Sequence, residues 1–233
     1  RIYFDNAATT ALDKEVLEAM LPYMTSQFGN PSSIYSYGRE TRLAIETARK
    51  LVAKLLNAHP GEVFFTSGGT ESNNIAIRSA VNNLGVKNIV TTRIEHPSVL
   101  KTIEDVLTQN KDLNVHILPV DEFGVVNLDV LARLLEQHKN VLVSLMHGNN
   151  EIGNLLPLKE VSDLCKVNNA IFHTDTVQTI GHYSIDLKDL SVGFLSCSAH
   201  KIHGPKGVGF VYVNKGLAVK SIITGGKQER SFR

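Results

Sequence analysis

Lys201 is the first residue to carry a chemical argument. It stands in Ser198-Ala199-His200-Lys201-Ile202-His203-Gly204-Pro205-Lys206-Gly207, among small and apolar neighbours. Such surroundings desolvate an amine and lower its pKa, and a neutral amine can form a Schiff base with a carbonyl. A lysine by itself faces water, so the argument depends on its company. Asp175 lies where the apolar Ala170-Ile171-Phe172 run gives way to polar residues. A carboxylate at a strand end can hold the proton of a ring nitrogen, although an isolated Asp there reads as a turn residue or cap. Gln178 can donate to a ring oxygen or simply face water. His96 precedes Pro97, where its ring can stack on a flat ligand or exchange a proton near neutral pH.

Ser67-Gly68-Gly69-Thr70 adds an anion site. Its glycines let backbone amides approach a ligand, and a following helix offers open N–H groups to a phosphate. The plainer reading is a tight turn with Thr70 as helix N-cap. The segment is neither G-x-x-x-x-G-K-[ST] nor G-x-G-x-x-G, so nucleotide and dinucleotide readings lack their fingerprints. His147, His173, His182 and His203 gain no catalytic role from spacing, and no Cys/His pair has zinc spacing, so no metal is expected.

These residues need elements to bring them together. Apolar spacing at Ala44, Ala48, Leu51, Val52 and Leu55 marks a helix over 39–57. Strand 63–66 runs through the Gly turn into a helix reaching about 83. Strand 88–92, a helix from Pro97, strand 115–119, helix 128–138, strand 141–146 and helix 158–168 continue the alternation, and strands leading to Asp175, over 193–197 and over 208–213 close it. Strands alternating with helices predict an α/β fold, a mainly parallel sheet flanked by helices, with ligands outside the strands' carboxyl ends. The polar clusters fall at those ends: Ser67 to Thr70, Glu95-His96, His147 to Glu151, Thr174 to Gln178, and Ser196 to His203.

Composition narrows the partners. The 233 residues are 42% hydrophobic and 20% charged, enough for one substantial core, with a formal net charge of +1. No basic run suggests nucleic acid or a membrane surface, so a small-molecule partner is expected. Two cysteines, Cys165 and Cys197, without C-x-x-C spacing, fit a reduced compartment, and the expected location is cytoplasmic. The start at Arg1 and the loop-like end GGKQERSFR suggest that both ends are trimmed.

Four blocks carry a resemblance: Phe28-Gly29-Asn30-Pro31-Ser32-Ser33, the stretch Phe65 to Asn74, Met146-His147-Gly148-Asn149-Asn150-Glu151-Ile152-Gly153, and Ser198 to Gly207. In order, and extending from Ile2 to Arg230, they resemble cysteine desulfurases of the iron–sulfur-cluster type, within the aminotransferase class V family. The resemblance implies a pyridoxal phosphate enzyme, with residues 1–233 as the cofactor-binding large domain, an N-terminal arm over about 1–30, and a C-terminal small domain absent from the chain. It implies that Lys201 carries pyridoxal phosphate as a Schiff base, that Asp175 pairs with the pyridinium nitrogen and that His96 stacks over the ring. Gly69, Thr70, Ser198 and His200 would hold the phosphate, and Asn150 and Gln178 the ring's substituents near the phenolic oxygen. It further implies L-cysteine as substrate, a homodimer, and a sulfur-acceptor or scaffold protein.

In such enzymes a separate cysteine takes the substrate sulfur, and both it and the arginine for the substrate carboxylate belong to the C-terminal part. Cys165 reads as a helix residue and Cys197 as a strand residue, both core thiols. The Ser-Gly-Thr segment expected beyond Arg230 is missing, Lys227 replaces the usual Gly, and Ser231-Phe232 replaces small residues. A selenocysteine lyase or an aminotransferase of class V would share Lys201 and Asp175, although the 147–153 and 198–207 blocks favour the desulfurase. A non-catalytic cofactor-binding fragment is the alternative of a different class.

Overall fold

The computed structural model describes residues 2–226 and 228–233, so Arg1 and Lys227, both singled out in the sequence, lie outside the described residues. Its centre is one seven-stranded sheet. In chain order the strands are β1 (Val63–Thr66), β2 (Asn88–Thr91), β3 (Asn114–Ile117), β4 (Val141–Ser144), β5 (Ile171–Asp175), β6 (Phe194–Ser198) and β7 (Gly209–Val213). Their spatial order is β1-β7-β6-β5-β4-β2-β3. From β6 to β3 all neighbours run parallel, while β7 is antiparallel to both β6 and β1. The short connection from β6 through Lys201 permits only that return, because a parallel neighbour needs a long crossover.

The helices are α1 (Lys14–Thr25), α2 (Ser36–Leu55), α3 (Gly69–Asn83), α4 (Pro97–Gln109), α5 (Leu128–Gln137) and α6 (Leu158–Val167). Successive strand residues point to opposite faces, and the two cores divide accordingly. Val90, Val143, Phe172 and Leu195 pack with Ala53 of α2, Leu131 and Leu135 of α5, and Val161 and Cys165 of α6. Their neighbours Ile89, Leu142 and Phe194 pack on the other face with Ile75, Ile77 and Ala80 of α3 and Val99, Ile103 and Val106 of α4. Each fully buried Leu, Ile or Phe contributes about 1.5–3 kcal/mol, so this double-sided burial is what holds the sheet.

Three local readings change. Helix α2 begins at Ser36 rather than near 39, and α1 was not expected at all. Asp13 caps α1 by accepting from Glu15 N, yet none of its residues is buried and Leu21 and Met24 remain 46% and 67% exposed. With no buried face, α1 lacks the strong periodic signal that marks core helices. Regular pairing of β4 stops at Ser144, two residues short of the expected 146, although His147 N still donates to the Asp175 carbonyl at 2.9 Å.

The segment 228–233 folds back on β1. Arg49 of α2, 2% exposed, donates to both carboxylate oxygens of Glu229 at 2.7 and 2.9 Å, to Glu46 at 3.0 Å and to the Val63 carbonyl at 2.8 Å. Glu229 also accepts from Phe65 N at 2.7 Å, Arg230 pairs with Glu46 at 2.6 Å, and Phe232 stacks on Phe64 with centroids 4.0 Å apart. Ser231 has φ +65°, within a left-handed run from Glu229.

Candidate functional site

The carboxyl ends of β1, β2, β4, β5 and β6, with the entry to β7, surround a cleft of about 820 Å³. Gly69, Thr70, His96, Asn150, Asp175, Gln178, Ser198, His200 and Lys201 all line it.

The anion-binding corner starts at Gly68, whose φ of +143° only glycine adopts readily and which caps α3. A Cβ on Gly69 would lie 2.7 Å from Val177 Cγ2, so the turn must stay bare to pack against the β5 loop. Gly69, Thr70 and Glu71 form the first turn of α3, where helix geometry leaves the N–H groups without intrahelical partners. Thr70 is therefore inside the helix and not its N-cap; Gly68 takes that place because the backbone turn there needs a positive φ. Ser198 ends β6 beside this turn, and a Cβ on Gly209 would come 2.7 Å from the Gly68 Cα, so β7 starts in direct contact with the corner.

Asp175 is buried at the tip of β5. Asn73, one turn into α3, donates to it at 2.7 Å, and Val177 N at 2.9 Å. Burial raises its pKa above the usual carboxylate value; these two bonds, His96 and Lys201 pull the other way. No cation touches it among the described residues. Asn73 went unassigned in the sequence, although its place three residues after Thr70, on one helix face, was a usable signal.

Lys201 comes from the single helical turn after β6. Desolvation lowers its pKa, against the pull of Asp5 and Asp175. Its Nζ donates to the carbonyls of Ala7 and of Ala8, the latter at 2.9 Å. Gln178 Nε2 reaches the same Ala7 carbonyl at 3.0 Å. Nothing local predicts this N-terminal strap: Thr10 N donates to the His200 carbonyl at 2.8 Å, and His200 Nδ1 meets Thr9 Oγ1 at 3.0 Å. Desolvation, with Lys201 and Lys206 nearby, lowers the His200 pKa.

His96 caps α4, its Nδ1 accepting from Ser98 N at 3.1 Å, while its exposed ring lines the cleft. Asn150 Nδ2 donates to Glu151 at 2.6 Å. The other histidines divide by burial. His173 is sealed between Ser144 Oγ at 2.8 Å and Ser196 Oγ at 3.1 Å, with its pKa pushed down to about 3, and His147 contacts Thr179 at 2.9 Å. Cys165 and Cys197 are buried free thiols whose pKa values burial pushes up, Cys165 to about 12. Among the described residues no cluster of three or more His, Cys, Asp or Glu could hold a metal ion, and no helix is long and apolar enough to cross a membrane.

An open helix N-terminus, a buried carboxylate without a charged partner among the described residues and a desolvated amine at the carboxyl ends of one sheet define the class: an α/β protein whose cleft suits an anionic ligand and carries a lysine poised to react with it. The aminotransferase class-V family model matches residues 2–232, and the chain belongs to that family. The chain is 46% identical to the cysteine desulfurase IscS of Clostridium botulinum, over all of this chain and 58% of the relative. A NifS-like protein of known structure superposes with a TM-score of 0.95 at 42% identity, over 100% of this chain and 64% of that one. SspA, solved in complex with cysteine, superposes with a TM-score of 0.93 at 34% identity. The chain thus spans less than two thirds of these two proteins' length, IscS and the NifS-like protein. The family's cofactor is pyridoxal phosphate, and the residues present fit it: a bare-backbone corner for the phosphate, an acid for the ring nitrogen and an amine for the aldehyde.

Proposed function

We propose that this chain is the cofactor-binding large domain of a cysteine desulfurase that supplies sulfur for iron–sulfur cluster assembly. The observation that carries the reading is the convergence of Lys201, Asp175 and the first turn of α3 on one cleft. The names of the relatives and the cysteine held by the similar SspA support the substrate.

Bound pyridoxal phosphate supplies an electron sink for bonds at the carbon bearing the substrate's amine. Gly69 and Thr70 hold its phosphate by backbone N–H groups, with the Ser198 hydroxyl and the His200 ring completing the cradle. Asp175 keeps the ring nitrogen protonated, and Asn73 fixes the orientation of that carboxylate. Lys201, whose amine desolvation makes easier to deprotonate, would be the residue that holds the cofactor covalently, and its amine is placed to move a proton at the substrate carbon. His96 would face the ring, and Asn150 and Gln178 would donate to its substituents, Gln178 now being bonded to the Ala7 carbonyl.

The net reaction transfers sulfur from cysteine to a protein thiol: cysteine and the thiol become alanine and a persulfide, with no outside oxidant. Cys165 and Cys197 do not serve as that thiol, because burial keeps both protonated. The accepting cysteine and the arginine for the substrate carboxylate come from outside residues 1–233. A homodimer, a sulfur-accepting or scaffold partner and a cytoplasmic location complete the proposal. Mixing the chain with pyridoxal phosphate, reducing with borohydride and sequencing the modified peptide tests it; the label is expected on Lys201, and a label spread over surface lysines would reject the site.

A further inference from the structure

Glu95 sits beside His96, has no part in the mechanism above, and is 6% exposed. Its two oxygens face Thr92 Oγ1 at 2.7 Å and Met146 N at 2.9 Å, joining the loop after β2 to the loop after β4. A second bond, from Asn149 Nδ2 to the Ile94 carbonyl at 2.8 Å, ties the same loops. One loop carries His96 and the other Asn150. Glu95 also borders a cavity of about 20 Å³ with Thr92, Ile94, Gly124, Val126 and Asn149, whose lining among the described residues includes no Lys, Arg or His. The charged group that acts on it is Asp175, at the end of β5, of like sign. Burial pushes the Glu95 pKa up to about 8. An ionised carboxylate in such a place would be an uncompensated buried charge.

We infer that Glu95 is a positioning residue that works as an uncharged acid, latching the His96 loop to the Asn150 loop without placing a second negative charge beside Asp175. Thr92 Oγ1 donates to the carboxylate at 2.7 Å; in the protonated acid that contact reverses, the acid's hydroxyl donating to Thr92 Oγ1 while its other oxygen still accepts from Met146 N. The latch stands on geometry alone; that it positions groups around pyridoxal phosphate rests on the proposed function. Glutamine reproduces both bonds and the neutrality, whereas alanine removes them.

The sign of the pH effect follows from linkage. The folded state holds the Glu95 proton up to about pH 8, while the unfolded chain releases it near 4.5, so this group costs stability increasingly as pH rises between those values. Melting temperatures of the cofactor-free chain, measured from pH 5 to 9, should therefore show Glu95→Gln gaining on wild type up to about pH 8 and then holding constant. A difference that does not vary with pH overturns the uncharged-acid assignment, whatever the chain binds. In pyridoxal phosphate titrations Glu95→Gln should bind within about twofold of wild type, and Glu95→Ala about tenfold more weakly. Equal loss in both variants overturns it too. Failure of wild type itself to bind the cofactor would instead strike the proposed function and leave the melting result standing.

Discussion

The cleft and the Arg49 network both hold charged groups out of water, and they treat them in opposite ways. Arg49 is fully answered within the chain by Glu46, Glu229 and the Val63 carbonyl. In the cleft, Asp175 takes bonds from an amide and a backbone N–H but, among the described residues, from no cation, and Lys201 rests on two carbonyls. Burying a charge without a counter-ion costs stability, so proteins retain that arrangement where something else completes it. Paired charge marks a structural joint; unpaired charge in a concave site marks room for a ligand.

The sharpest way to break this contrast is Lys201→Ala. It should abolish covalent cofactor attachment, read as loss of visible absorbance and of borohydride labelling, while the melting temperature of the cofactor-free chain stays near wild type. A labelled variant would show that another amine does the work.

Arg49→Met should do the reverse. It strands the Glu229 carboxylate, and breaking a buried pair costs about 3–5 kcal/mol, visible as a lower denaturant midpoint. At denaturant-free conditions pyridoxal phosphate affinity should change little, since Arg49 does not line the cleft. Parallel loss of affinity would mean that the joint and the cleft are coupled.

Asp175→Asn separates stability from binding. Pyridoxal phosphate affinity should fall about 10- to 100-fold, the worth of a hydrogen bond to a charged group. Because the folded-state pKa of Asp175 is raised, the wild-type carboxylate costs stability as pH rises above its ordinary value near 3.8. The cofactor-free variant should therefore equal or exceed wild type in urea midpoint at pH 7, with the advantage shrinking toward pH 4. A destabilised variant at pH 7 would make Asp175 a structural residue like Arg49.

The smallest effect belongs to the structural side. Ser231 holds φ +65°, which costs a side-chain-bearing residue about 1 kcal/mol. Ser231→Gly should stabilise by about that much or less, since glycine's freer unfolded state offsets part of the gain. An unchanged denaturation midpoint would mean that the left-handed run carries no strain.

The sequence by itself was enough for what depends on neighbours along the chain. The alternation of strands and helices, the Gly68-Gly69 turn opening α3, and the gathering of polar clusters at strand ends follow from period-2 and period-3.6 patterns and from glycine's freedom. They put Lys201, Asp175, His96 and the Gly68-Gly69 turn on one edge before any coordinates. Tertiary structure alone decided the pairings between distant segments. Arg49 meets Glu229 across 180 positions, Lys201 is held by Ala7 and Ala8 from the far end of the chain, and Asn73 finds Asp175 across the sheet. It also decided that α1 lies exposed and that Glu95 is sealed in while His96 beside it stays open. The physical reason is the same in each case. Burial and hydrogen-bond partners are set by which surfaces the folded sheet and its helices bring together, and no local pattern encodes the identity of a residue's distant neighbour.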